Sequence, residues 1–204
     1  MQSPFLFSNV SYQIVLITNL LSLAFMKEIE VKILEIDRKK VEETLISLGA
    51  EKILDSDIQT TFFDFKDGKI VKAKDVLRLR KEDGKVELTY KKVHTTKTAK
   101  EAEEISVDVS SLEEMQNILE NLGLRKTENM LKHRVSYKLG NARFDIDRYL
   151  EKYSFIPEFM EIEAEITEPI DHYAELLGFK PKDVLPWSTY DIVKHYSSKK
   201  EKKG

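Results

Sequence analysis

Arg78 and Arg80 stand two residues apart in Leu77-Arg78-Leu79-Arg80, and that spacing decides what they could do together. Side chains at i and i+2 of a β-strand share a face, so the two guanidinium groups point the same way. Guanidinium is planar and forked, which suits it to the oxygens of phosphate. The same spacing groups other charges. Glu28, Glu30 and Lys32 share a face, as do Glu87, Thr89 and Lys91, Glu104 and Asp108, and Lys132 and Arg134. Arg143-Phe144-Asp145-Ile146-Asp147 and Glu161-Ile162-Glu163-Ala164-Glu165-Ile166 repeat the construction. Like charges on alternate strand positions repel unless counterions lie between them, and buried charge without a partner is costly. The carboxylates therefore imply cations, and the arginines and lysines imply an anion.

The elements that hold these side chains follow from the same pattern. Each run alternates charged with apolar residues, which is strand periodicity. A single such strand is ordinarily a half-buried sheet with its charged face in water. Seven of them, with the signs of charge segregated and a continuous aliphatic face, predict an α+β fold. Its centre is a closed antiparallel β-barrel with a polar interior and helices packed outside. One helix is expected from Arg38 to Leu48, with Gly49 as its stop. A second is expected from Ser111 to Gly123, where the Ser111 hydroxyl can cap toward Glu114. Shifting the chain by 74 residues sets Leu48-Gly49 on Leu122-Gly123, Leu45 on Leu119, Val41 on Met115 and Glu30 on Glu104. Two similar halves should therefore close one barrel together. Further helices are expected around Asp171–Leu177 and Thr189–Tyr196.

Composition narrows the function classes. The 204 residues suffice for one domain with a full core, and 33 Lys plus Arg stand against 36 Asp plus Glu. That near balance argues against a binder that grips nucleic acid through a general basic surface, because phosphate neutralisation needs a clustered positive excess. The absence of cysteine excludes disulfides, a thiolate nucleophile and thiolate metal sites. With seven glycines and no glycine-rich loop, phosphate would have to be held by side chains. His94, His133, His172 and His195 lack metal-ligand spacing and are expected at the surface or in packing, as is Trp187 beside Pro186.

Composition changes abruptly at Met26. Val10 to Phe25 carries no charge, and residues 1–25 contain no Lys or Arg, which argues against a secretory signal. The run is about 16 residues with five polar interruptions, short of the roughly 20 mostly apolar residues of a standard span. Residues 1–25 are expected to be an extension outside the domain, with Met26 as the initiator and a membrane anchor as the competing reading. The domain is expected over 26–197, followed by a disordered basic tail over 198–204.

The ordered series of strand motifs resembles the CYTH family, which contains the triphosphatases and the class IV adenylate cyclases. Glu28-Ile29-Glu30-Val31-Lys32 resembles its opening ExExK signature. Phe63-Asp64, Leu77-Arg78-Leu79-Arg80, Leu88-Thr89-Tyr90-Lys91, Arg134, Asp147 and Glu161-Ile162-Glu163 resemble its later strands in order. Ser188-Thr189-Tyr190 resembles the serine-tyrosine segment of the cyclase branch, with a threonine between. The resemblance implies a triphosphate tunnel lined by Lys32, Arg78, Arg80, Lys91, Lys132 and Arg134, with Lys32, Arg78, Arg80 and Arg134 acting in catalysis. It implies Mg²⁺ or Mn²⁺ held among Glu28, Glu30, Asp147, Glu161 and Glu163, and strand parity adds Glu104 as a further candidate. Glu101 and Glu103 compete with Glu104, because a one-residue slip of that strand would exchange them. The implied activity is hydrolysis of a nucleoside, inorganic or organic triphosphate. The alternatives are cyclisation of ATP to cyclic AMP and pyrophosphate, and polyphosphate or nucleotide binding without turnover. The expected partner is a triphosphate-containing small molecule, with no nucleic acid, no membrane for the domain itself and a cytoplasmic location; the resemblance admits a homodimer, since related domains often form one.

Overall fold

A computed structural model of the protein describes residues 29–95, 100–164 and 168–201, apart from the side chains of 93–95, 100–102 and 168–169. The expectations for residues 1–25, and for Glu28, lie outside the described residues. The elements run β1 (Ile29–Leu34), α1 (Arg38–Ser47), β2 (Glu51–Phe65), the short turn α2 (Lys69–Lys72), β3 (Val76–Glu82), β4 (Lys85–Thr95) and β5 (Lys100–Val109). They continue with α3 (Leu112–Asn121), β6 (Leu124–Leu139), β7 (Ala142–Tyr149), β8 (Phe159–Ala164), α4 (Glu168–Leu176) and α5 (Thr189–Glu201). All strands lie in one sheet of order β1-β8-β7-β6-β2-β3-β4-β5, and every pair is antiparallel. The α+β class is as expected.

The sheet has eight strands where the alternation showed seven. The missing one is β2. Its register shifts between Lys52 and Leu54 and again between Phe62 and Phe63, and Thr60-Thr61-Phe62-Phe63 breaks the alternation of types. Each shift is a local irregularity that moves the following side chains relative to their partners on β6, so the alternation does not run unbroken through this strand. The hydrogen-bonded ladder is also open among the described residues. Its free edges are β1 and β5, apart from a one-residue bridge in which Lys32 and Leu185 exchange backbone hydrogen bonds at 2.8 and 2.9 Å.

The repeat is present in the fold. A shift of 74 residues carries α1 onto α3 from first residue to last, and matching β1–β4 with β5–β8 reverses the sheet order onto itself. At the centre Ile58 pairs with Lys132, and that pair maps onto itself. The helix caps repeat as well. The Asp37 side chain accepts from the Lys40 amide at 3.2 Å, and the Ser111 hydroxyl accepts from the Glu114 amide at 3.2 Å. Gly49 and Gly123 follow at φ +86 and +90, the left-handed conformation that ends both helices without a Cβ penalty.

The apolar sides of the strands carry the core. Val41 and Leu45 of α1, with Ile170 and Ala174 of α4, pack on Val31, Ile33, Val135, Phe144, Ile146, Met160 and Ile162. Ile70 of α2 and Leu119 of α3 pack on Phe63, Leu79 and Val86. Each such side chain taken fully from water contributes about 1.5–3 kcal/mol before the entropy of ordering it. The last helix lies on the other face. Ile192 and Tyr196 of α5 pack with Leu34, Met130, Tyr149 and Phe159, which covers one end of the charged side of the sheet. Lys199 pairs with Glu35 at 3.4 Å, and Lys200 lies over the Phe155 ring. These contacts hold α5 helical to Glu201, past the boundary expected at 197. No described helix is long and apolar enough to cross a membrane.

Candidate active site

Register puts the charged side chains on one face. Across β1, β8 and β7, Glu30 pairs with Glu163 and Lys32 with Glu161, while Arg143 pairs with Glu163 and Asp145 with Glu161. Across β7 and β6, Asp147 pairs with Arg134 and Asp145 with Ser136. On the far side Arg80 pairs with Thr60 and Glu87, Arg78 with Phe62 and Thr89, and Lys91 with Glu104. Directly paired residues share a face. Glu30, Lys32, Arg78, Arg80, Lys91, Glu104, Lys132, Arg134, Asp147, Glu161 and Glu163 therefore all line the side of the sheet opposite α1, α3 and α4. The register also separates Glu104 from Glu103, which pairs with Lys92 and belongs to the other face.

The β1, β8, β7 and β6 side is densely ion-paired. Arg134 is 5% exposed and reaches Asp147 through Nε at 2.7 Å and Nη2 at 2.6 Å, and Glu161 through Nη2 at 2.5 Å. Its Nη1 binds Asp145. Lys32, 1% exposed, binds Glu30 and lies 2.9 Å from Glu161, and Lys132 lies 2.6 Å from Asp147. Burial opposes the charge on Arg134, but Asp147, Glu161 and Asp145 outweigh it and hold its pKa well above the ordinary value. Burial likewise opposes ionisation of Glu161, and Lys32, Lys132 and Arg134 overcome it, so this carboxyl lies well below its usual range.

The β3, β4 and β5 side is different. Arg78 donates through Nη2 to Glu104 at 3.2 Å, yet its buried Nε has no partner. Burial and the adjacent Arg80 guanidinium together pull its pKa below the ordinary arginine value. Arg80 donates to Glu87 at 2.9 Å, and Lys91 lies 3.2 Å from Glu104. Arg80 also lies 3.6 Å from Glu82, so the cations here have carboxylate partners, but the buried Arg78 Nε–H beside a second arginine is left as a donor without an acceptor.

Sequence reasoning passed over Asp145 and Arg143. Asp145 is 2% exposed, binds Arg134 and accepts from Arg143 Nε at 2.8 Å. Strand parity with Asp147 was the signal that could have found both. Other residues that carried the resemblance have structural work. Asp64 accepts from the amides of Phe65, Ile70 and Val71 at 2.7, 2.9 and 3.0 Å and fixes the turn before β3. Ser188 and Asp191 cap α5 reciprocally, and Tyr190 is exposed. His133 lies between Asp55 and Asp57, His195 packs on Trp187 and Tyr196, and His172 on Tyr173, as packing and surface roles predict. The side chain of His94 lies outside the described residues.

One antiparallel sheet thus carries α1, α3 and α4 on one face and interleaved carboxylate, guanidinium and ammonium groups on the other. The model of the CYTH domain matches residues 26–177, and the chain belongs to that family. A protein of Methanocaldococcus jannaschii named "Putative adenylate cyclase" is 31% identical over 143 residues, 70% of this chain and 79% of that one. A solved structure from Pyrococcus horikoshii OT3 matches with a TM-score of 0.67 at 26% identity, covering 81% of this chain and 98% of that chain. A Hippeastrum structure matches with a TM-score of 0.58 at 16% identity, covering 83% of this chain and 96% of that chain. It bears the name "Putative adenylyl cyclase" and is described as revealing a dominant triphosphatase activity; at this identity it shows the fold alone.

Proposed function

We propose that this chain is a metal-dependent enzyme acting on a triphosphate, and that it hydrolyses a nucleoside, inorganic or organic triphosphate. The observation that carries the reading is the buried, unpartnered Nε of Arg78 beside Arg80, on the same face as the carboxylates of β7 and β8. The sheet is read as curling about this face into a tunnel. Support comes from contacts that cross it, Arg134 of β6 to Glu161 of β8 and Arg143 of β7 to Glu82 of β3 at 3.9 Å.

In this reading Arg78, Arg80 and Lys91 bind phosphate oxygens from one side, and Lys32, Lys132 and Arg134 from the other. Arginine grips two oxygens at once, and lysine acts as a point charge. Glu30, Asp145, Asp147, Glu161 and Glu163 are hard oxygen donors, so their chemistry fits Mg²⁺ or Mn²⁺. Glu28, outside the described residues, and Glu104 join the candidates. Among the described residues no three of these carboxylates form a ligand group, and Lys32, Lys132 and Arg134 lie against oxygens of Glu30, Asp145, Asp147 and Glu161. Those ion pairs must therefore rearrange for a cation to enter. A bound divalent ion would neutralise charge on the phosphates. The chain's own cations stabilise the charge that builds on the transferred phosphoryl group and its leaving group, an effect worth several kcal/mol.

Cyclisation of ATP is the second reading, favoured by the name of the M. jannaschii relative. Incubation with ATP, inorganic tripolyphosphate and thiamine triphosphate in Mg²⁺ or Mn²⁺, with the products resolved, separates the two. Inorganic phosphate that E30Q does not release supports the hydrolase, whereas pyrophosphate with cyclic AMP replaces it with the cyclase. Binding without turnover of any substrate overturns both.

A further inference from the structure

The two halves of the sheet bury their outer faces unequally. Ile105 and Val107 of β5 correspond under the 74-residue shift to Val31 and Ile33 of β1. Val31 and Ile33 are 9% and 1% exposed, while Ile105 and Val107 are 68% and 52% exposed. Their neighbours follow suit. Ile162 and Met160, which pair with Val31 and Ile33, are 0% exposed, but Tyr90 and Leu88, which pair with Ile105 and Val107, are only partly buried. The cause is a missing helix. After β8 the chain forms α4, whose Ile170 and Ala174 cover β1 and β8. After β4 only residues 96–99 intervene before β5, too few for a helix of that length.

We propose that the uncharged segment Val10–Phe25 of this same chain docks on the outer face of β5 and β4, over Ile105 and Val107, in the place that α4 takes on the other half. Several observations favour this occupant. The segment is apolar and without charge, and the family match starts at residue 26, so its cover is not part of the shared domain. Ile29, where it joins the sheet, lies at the same end as Val109. The register places Glu30 and Arg143 at that end through Glu163, and Arg143 contacts Glu82, whose strand end pairs on toward Val86 and Val109. In a sheet curled as proposed above, the free edges β1 and β5 come together, so the start of β1 at Ile29 lies beside the face to be covered. The inference rests on that curl but not on any reaction.

A second copy of the chain fits less well. A face presenting two exposed apolar side chains is far below the roughly 800 Å² per partner of a stable interface. Twofold self-pairing of β5 centred on Ser106 would also set Glu104 against Asp108 on both sides.

The chain has no cysteine, so a thiol introduced by V107C in the full chain is unique. Its rate of modification by a small thiol reagent is measured alone and together with L16E and L20E, with I118C as an exposed control on α3. Docking predicts slow modification in V107C, at least tenfold faster modification when L16E and L20E are added, and fast modification of I118C in both backgrounds. Equal V107C rates with and without the glutamates overturn the proposal. So does protection that rises with protein concentration, which would assign the face to a second copy. Mass analysis showing that the expressed chain starts at Met26 overturns it as well. The assay contains no triphosphate, so its result is separate from that of the turnover experiment.

Discussion

The half built from β1, β8, β7 and β6 and the half built from β5, β4, β3 and β2 share one plan and differ in charge. The shift of 74 residues carries Thr60 to Arg134 and Phe62 to Ser136. Thr60 and Phe62 pair with Arg80 and Arg78, whereas Arg134 and Ser136 pair with Asp147 and Asp145. Arg80 and Arg78 thus occupy the positions that Asp147 and Asp145 hold in the other half. A repeated frame fixes where side chains point and leaves their sign free, so opposite charges can be delivered to two sides of one face without altering the backbone.

The sharpest way to break that comparison is to remove the central cation of each half. R134M leaves Asp145, Asp147 and Glu161 without their shared partner. Breaking a buried ion pair from one side costs about 3–5 kcal/mol. Chemical denaturation should show a loss of that size, partly restored by millimolar Mg²⁺ or Mn²⁺. A stability change below about 1 kcal/mol would mean that the acidic half does not depend on Arg134.

R78M should behave in the opposite sense. Burial and Arg80 already disfavour the charge of Arg78, and its Nε lacks a partner, so little stability is lost with it. Stability is expected to change by less than about 1 kcal/mol. Tripolyphosphate affinity, measured by calorimetry, should fall at least tenfold, about 1.4 kcal/mol. Undiminished affinity would remove the basic half from the site.

How much of this was legible in the sequence depends on what each element answers to. Strand parity is a local property of the chain, and within each strand it grouped Arg78 with Arg80, Lys32 with Glu30, Arg134 with Lys132 and Glu161 with Glu163; that these groups share one face of the sheet follows from the register. The caps at Ser111 and Gly49 were legible for the same reason. The strand β2 was not, because Thr60-Thr61-Phe62-Phe63 breaks the alternation of types and its pairing with β6 shifts register twice. Asp145 was passed over although it shares parity with Asp147. Its importance comes from Arg134, which reaches it across a strand pair, and cross-strand partners are set by register. Ser188-Thr189-Tyr190 shows the converse, a family-like segment whose visible work is to cap a helix.

Acid should separate the halves more gently. The carboxyl of Glu161 is depressed in the folded chain, since Lys32, Lys132 and Arg134 overcome the burial that opposes its charge. A depressed carboxyl adds stability that is fully present above the ordinary carboxylate range. That stability is lost as pH falls through the folded value. Denaturation between pH 7 and pH 3 should therefore show the difference between the native protein and E161Q shrinking as pH falls. A difference independent of pH would mean that Glu161 is not held as an anion.

The smallest effects test the part of the comparison that predicts sameness. Asp37 and Ser111 are related by the 74-residue shift, and each caps its helix through one hydrogen bond of 3.2 Å. Replacing an N-cap by alanine costs about 1 kcal/mol, because one orphan amide at the helix start loses its acceptor. D37A and S111A should each lower stability by about that amount, and the double variant by the sum, since the two helices pack in separate apolar clusters and share no partner. A large departure from additivity would show the two outer cores coupling through the sheet between them. The repeat would then be one mechanical unit rather than two similar frames joined at β2 and β6.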